Sequence, residues 1–247
     1  MRNMSNLAFA IVMFASSVAW GQGDVSAGPD TYQVDAEGSD IRILVHRAGA
    51  LSWLGHSHVV SVGRLDGRIY LYPERQKSRF ELTIPVQGLV VDDPFLRREE
   101  GEEFSSEPSE QDVASTRSNM LGKRVLDAER HPIVKLTGTA YRGDKPETVL
   151  QLSIEFLGNV LELQVPTTLR LDGDVLEVTG SLRLSHSDLG MRPFTAMLGA
   201  LRVGDDIDFK YRIRAQRTQA EKISYLRVYS GTTKIRGITH GTHKLRQ

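Results

Sequence analysis

The chain of 247 residues contains no cysteine, which removes disulfides, thiolate nucleophiles, Cys-ligated metals and a lipidated N-terminal cysteine at a stroke. Aromatic residues are scarce, at 7% of the chain, and the formal net charge is zero. That zero conceals an imbalance: residues 22–215 carry a net −7 and residues 216–247 a net +6, so an acidic body precedes a basic tail and the two should meet different partners. Beyond the first two dozen residues no apolar run is long enough to cross a bilayer as a helix. Also missing are a Gly-x-Ser-x-Gly elbow, a phosphate loop and a His-Glu-x-x-His helix. Ser185-His186-Ser187-Asp188 has the residue types of a hydrolytic triad, but neighbours on a strand point to opposite faces and cannot form a relay. Neither a catalytic group nor a cofactor is implied, and nothing points to nucleic acid.

What is present is alternation. Leu150, Leu152, Ile154 and Phe156 fall on one face, against Gln151, Ser153 and Glu155 on the other. Leu161, Leu163 and Val165 resume that period after a turn predicted at Gly158-Asn159, and Leu176, Val178, Leu182 and Leu184 resume it after Asp172-Gly173-Asp174. Ile207, Phe209, Tyr211 and Ile213 close the run, and Phe80, Leu82 and Ile84 show the same pattern upstream. A period of two with one apolar face predicts strands that are dry on one side and wet on the other, and short Gly/Asn/Asp links make them antiparallel neighbours. With little helix to cover the dry face, the sheet must close on itself, giving an all-β fold of about eight strands with one or two short helices. A membrane-spanning barrel alternates too, but the acidic body and basic C-terminus fit it poorly.

Residues 1–21 read as a secretory signal: Arg2, an apolar run over 7–15, and small residues offering cleavage after Ala19 or Gly21. The mature protein is then expected to be soluble and periplasmic. The acid-rich stretch 88–109, with Glu99, Glu100, Glu102, Glu103 and Glu107, reads as a solvated loop too mobile to hold an acid/base pair. Ser109 with Asp112 forms a capping box for a short helix over 110–121, ended by Gly122. The tail 216–247 is expected to be disordered, with an anionic membrane surface as its alternative partner.

His56-Ser57-His58 is the sharpest polar feature. On a strand the i, i+2 spacing puts both imidazoles on one face, near His46 of the preceding strand. No third ligand is fixed, so no metal is assigned. The histidines either pin a loop at the barrel mouth or contact a ligand headgroup, and a metal-binding or redox-linked protein remains the alternative.

Several pieces in order along the chain resemble the YceI-like, polyisoprenoid-binding periplasmic proteins. They are Tyr32-Gln33-Val34-Asp35, the strand 41–46 with Gly49, Gly67-Arg68-Ile69, the segment 126–133 (LDAERHPI) and the segment 180–190 (GSLRLSHSDLG). Two departures stand out: Ser185-His186-Ser187-Asp188-Leu189-Gly190 replaces the family's Arg-x-Asp-Phe-Gly element, and the hairpin motif around Gly158 is reduced. The resemblance covers about 32–215 and implies a lipocalin-like barrel that carries a long isoprenoid or quinone-like lipid without catalysis. Phe80, Leu82, Ile84, Leu150, Leu152, Ile154, Phe156, Leu161, Leu163, Leu182 and Leu184 are the expected lining, with His56 and His58 at the polar edge. A barrel filled by its own side chains, serving as a stress or interaction module, would carry the same alternation.

Overall fold

The computed structural model describes residues 28–142, 146–196, 198 and 200–218. Residues 1–21, read above as a secretory signal, and the tail beyond Thr218 lie outside them. The strands are β1 (Asp30–Ala48), β2 (His58–Val62), β3 (Asp66–Leu71), β4 (Arg79–Pro85), β5 (Leu89–Val91), β6 (Ile133–Arg142), β7 (Glu147–Phe156), β8 (Asn159–Asp172), β9 (Val175–Ser185), β10 (Thr195–Ala196) and β11 (Leu201–Arg217). The helices are α1 (Pro94–Glu99) and α2 (Glu110–Leu121). Every pairing is antiparallel, in the order β1-β3-β4-β6-β7-β8-β9-β11, and β11 returns to β1 to close an eight-stranded barrel. The expected all-β closed barrel is what the chain forms. β11 runs two residues past the boundary placed at 215.

β1 does two jobs. Its first residues, 30–33, pair with 68–71 of β3, whereas 42–45 pair with 58–61 of β2. β2 carries β5 on its other edge, so a short flap extends one wall beyond the tube. At the proximal end, where β1 begins, lie the β3–β4 connection and the β8–β9 hairpin. The distal end is capped by α2 and the segment after β9. α2 begins with the capping box expected of Ser109 and Asp112, and Arg117 ties it to the Gln87 carbonyl at 2.8 Å.

The β7–β8 turn differs by one residue from the sequence expectation. Phe156 pairs with Asn159, leaving Leu157 (φ 50°) and Gly158 (φ 76°) as the two-residue link. A tight hairpin of this kind needs positive φ at both positions, and the pairing Leu152↔Leu163 keeps both apolar sets on the same face; register overrides the turn preference of Asn. Inside the barrel two aromatic rings cross glycines. A Cβ on Gly138 would sit 2.7 Å from the Phe80 ring, and one on Gly180 would sit 2.3 Å from the Tyr211 hydroxyl. Glycine is needed there because a large ring lies flat over the neighbouring strand.

The acid-rich stretch is not the solvated loop expected. α1 and a helical turn at Glu102–Phe104, which follow β5, form a strap across the outer face of β1 and β2. Leu44, Val59 and Phe104 are buried beneath it, with Leu96 packed against them. Asp93 caps α1 by accepting from the Phe95 and Leu96 amides at 2.9 and 3.1 Å, with Pro94 in the first turn. Three of the glutamates are paired: Arg42 binds Glu99 and Glu100, Lys210 binds Glu100, and His46 binds Glu103. Part of the charge that looks like surplus in the sequence is matched by cations presented on the outer faces of β1 and β11.

Candidate functional site

The inward faces enclose a cavity of about 630 Å³. This lies within the ~300–1,000 Å³ typical of small-molecule sites, so the barrel is hollow rather than filled. Its wall is aliphatic and aromatic: Ile41, Ile43 and Val45 of β1, Leu136 of β6, Ile207 and Phe209 of β11, and the residues the alternation singles out on β4, β7 and β9. Phe80, Leu82, Ile84, Leu150, Leu152, Ile154, Phe156, Leu182 and Leu184 all border it. Leu161 and Leu163 do not. They pack with Leu184, Leu189 and Ile207 into a cluster near the distal end.

The histidines separate. His58 opens β2 and borders the cavity. His56 precedes the strand, so the i, i+2 rule does not apply to it, and its Nδ1 bonds Ser106 Oγ of the strap at 3.1 Å. His46 points outward, 2.8 Å from Glu103 and 2.9 Å from Asp208. Burial disfavours its charge, but the two carboxylates outweigh that and hold its pKa above the ordinary value. Among the described residues no three His, Asp or Glu side chains gather as a metal would need.

What holds His58 is a buried ion pair that the sequence does not reveal. Its Nδ1 lies 2.7 Å from Asp92 Oδ2. Asp92 Oδ1 accepts from the Val59 amide at 3.0 Å and from the Arg97 guanidinium, and both charged side chains are almost fully buried. Arg97 also donates to the carbonyls of Ser57 and Ser106 at 2.7 and 3.0 Å. Asp92 sits at φ 57°, a left-handed conformation that Asp tolerates, and the turn aims its carboxylate back at β2. Desolvation alone would raise the Asp92 pKa; hydrogen bonding from His58, the Val59 amide and the charge of Arg97 reverse it and keep the group ionised. With Nδ1 occupied, Nε2 is the ring nitrogen of His58 left for another partner.

Three other polar groups bordering the cavity are matched within the wall. Tyr211 shares a 2.8 Å hydrogen bond with Thr167, burial raising the phenol pKa, and His186 Nδ1 lies 2.8 Å from the Asp205 carbonyl. Ser78 Oγ accepts from the Tyr72 amide at 3.0 Å. Arg75 and Arg79 border the proximal end, and neither stands out in the sequence, where they are two cations in a polar turn.

Solved structures with the same arrangement exist. BcnA of Burkholderia cenocepacia superposes with a TM-score of 0.55 at 13% identity, covering 74% of this chain and 99% of its own. A polyisoprenoid binding domain from Saccharophagus degradans implicated in plant cell wall breakdown gives 0.53 at 10% identity, over 76% and 98%. The chain has the YceI-like fold. A YceI protein of Campylobacter jejuni aligns at 0.47 and 10% identity over 65% of this chain and 85% of its own. No protein-family model and no curated protein matches the sequence. At identities this low the likeness fixes the YceI-like barrel and its closure, while the side chains that face the lumen are this chain's own.

Proposed function

We propose that this YceI-like protein is an exported, non-enzymatic carrier that shelters the apolar chain of a long isoprenoid or quinone-like lipid inside its barrel. The observation that carries the reading is the 630 Å³ cavity walled by aliphatic and aromatic side chains. Such a wall selects apolar shape. At about 0.8 kcal/mol per buried methylene, one five-carbon isoprene unit contributes roughly 3–4 kcal/mol before the losses of ordering. The polyisoprenoid-binding domain from Saccharophagus degradans, built on the same fold, lends support to this choice of ligand class. The apolar segment at 7–15 supports export to the periplasm, and the basic residues of 216–247 support contact with an anionic membrane surface during loading.

Native mass spectrometry of the protein purified from its own host tests this. A co-purifying mass that partitions into organic solvent is the expected result. A bare protein mass after gentle extraction, together with failure to take up an isoprenoid alcohol in vitro, removes the carrier reading.

A further inference from the structure

Among the described residues, Arg75 is the one charged side chain at the cavity whose buried nitrogen has nothing to bind. It lies in the helical turn Arg75–Lys77 between β3 and β4, at the proximal end. That turn is held in place: the Ser78 amide donates to the Arg75 carbonyl at 2.9 Å, and the Ser78 carbonyl accepts from the Ala140 amide at 3.1 Å. Arg75 Nη1 is buried and has no hydrogen-bond partner among the described residues, and Arg75 makes no ion pair there. Two other buried polar atoms of the described residues are unmatched, Asp127 Oδ1 and Arg217 Nε, but both residues belong to ion pairs, with Arg130 and with Asp30 and Asp174. Burial pushes the Arg75 guanidinium below its ordinary value. Arg79, its neighbour at the same end, is otherwise engaged: its guanidinium lies 4.5 Å over the Tyr70 ring and donates to the Tyr72 hydroxyl at 3.0 Å. Glu147 borders this end too and forms no ion pair with Arg75.

Accepting the carrier reading, we propose that Arg75 receives the anionic oxygens of the lipid's head, a phosphate or carboxylate, so that the head lies at the proximal end and the chain runs along the lumen towards α2. A guanidinium that is partly desolvated and unpaired destabilises the empty protein, and an oxyanion removes that penalty with charge-assisted hydrogen bonds in a planar fork. The distal end is the weaker candidate for a charged head. His58 there is already hydrogen-bonded to Asp92, which is itself paired with Arg97.

The test compares farnesyl monophosphate with farnesol, and inorganic phosphate alone, on the wild-type protein and on Arg75→Met. Wild type should hold the phosphate about ten- to a hundredfold more tightly than the alcohol. Arg75→Met should erase that gap by weakening the phosphate alone, and the empty variant should melt no lower than wild type, since an unpaired charge has left the wall. A gap that survives in Arg75→Met, or a parallel loss of both lipids, overturns the assignment. Inorganic phosphate displacing farnesyl monophosphate at equal concentration also overturns it, making the site one for free anions. If farnesol binds wild type and the phosphate gains nothing, the carrier stands and Arg75 falls; if neither lipid binds, the carrier reading itself falls and takes the headgroup site with it.

Discussion

The lumen and the strap are two solutions to covering opposite faces of the same strands. Inside, β1 presents Ile41, Ile43 and Val45 to a cavity whose neighbours are equally apolar. Outside, the same strand presents Arg42, Leu44 and His46 to a segment held by a three-residue apolar cluster and a set of matched charges. Stabilisation of the lumen wall scales with area and tolerates exchange of one aliphatic for another. Strap stabilisation depends on specific partners, because a buried charge that loses its counter-ion leaves a large penalty behind. A wall of the first kind can be loosely filled and still fold, which is what a ligand cavity requires. A latch of the second kind fixes geometry, and here it fixes His58 at the cavity edge.

The sharpest way to break the comparison is Asp92→Asn. The change preserves volume but removes the counter-charge, leaving Arg97 buried among neutral acceptors. Loss of one partner of a buried pair costs roughly 3–5 kcal/mol, so the urea midpoint should fall by an amount no single aliphatic exchange in the lumen produces. The strap amides should lose hydrogen-exchange protection before those of the barrel strands. Equal loss across the whole barrel would mean the strap is not a separate latch.

The lumen answers to a different variant, Leu152→Trp. Leu152 borders the cavity midway along β7. Overpacking a well-filled core costs about 1–3 kcal/mol, and growth into a void falls below that range, so the variant should fold with a loss of about 1 kcal/mol or less. Its uptake of an isoprenoid alcohol should nonetheless drop sharply, because the added ring occupies the space the chain needs. Unchanged uptake would place the ligand elsewhere on the molecule.

This division also explains what could be read in advance. The barrel was legible because alternation is a local signal: each of the runs 80–84, 150–156, 182–184 and 207–213 states its own inward face. Leu161 and Leu163 show where that signal stops, since parity fixes the face but not the height along the tube, and their height sets them in the Leu184–Leu189–Ile207 cluster. The strap was illegible because its order comes from pairs far apart in the chain, Arg42 with Glu99 and Glu100, His46 with Glu103, and Lys210 with Glu100. Read alone, its glutamates are a charge run. Arg75 was hidden for the same reason: nothing in a polar turn says that it folds over a dry cavity.

The smallest expected effect sharpens the comparison through pH. Glu103 and Asp208 both contact His46. Hydrogen bonding from His46 offsets burial at Glu103, while Arg183 leads at Asp208, and both carboxylates are held below their usual range. His46 is held above an ordinary value of 6.5, so its contribution is fully present below that pH and is lost as pH rises through the elevated folded value. The carboxylates' contribution is present above their unfolded values and is lost as pH falls through the depressed folded ones. The His46 contact with the strap is therefore tightest in mildly acidic solution and loosens from near neutrality upward. Because the imidazole is partly exposed, the change should be no more than about 0.2–1 kcal/mol. Hydrogen exchange over 94–104 should quicken, beyond the intrinsic pH dependence, as the solution is taken from mildly acidic to mildly basic. His46→Gln should flatten that excess, and the amides of β7 and β8, whose strands pair only with β6, β9 and each other, should show none of it.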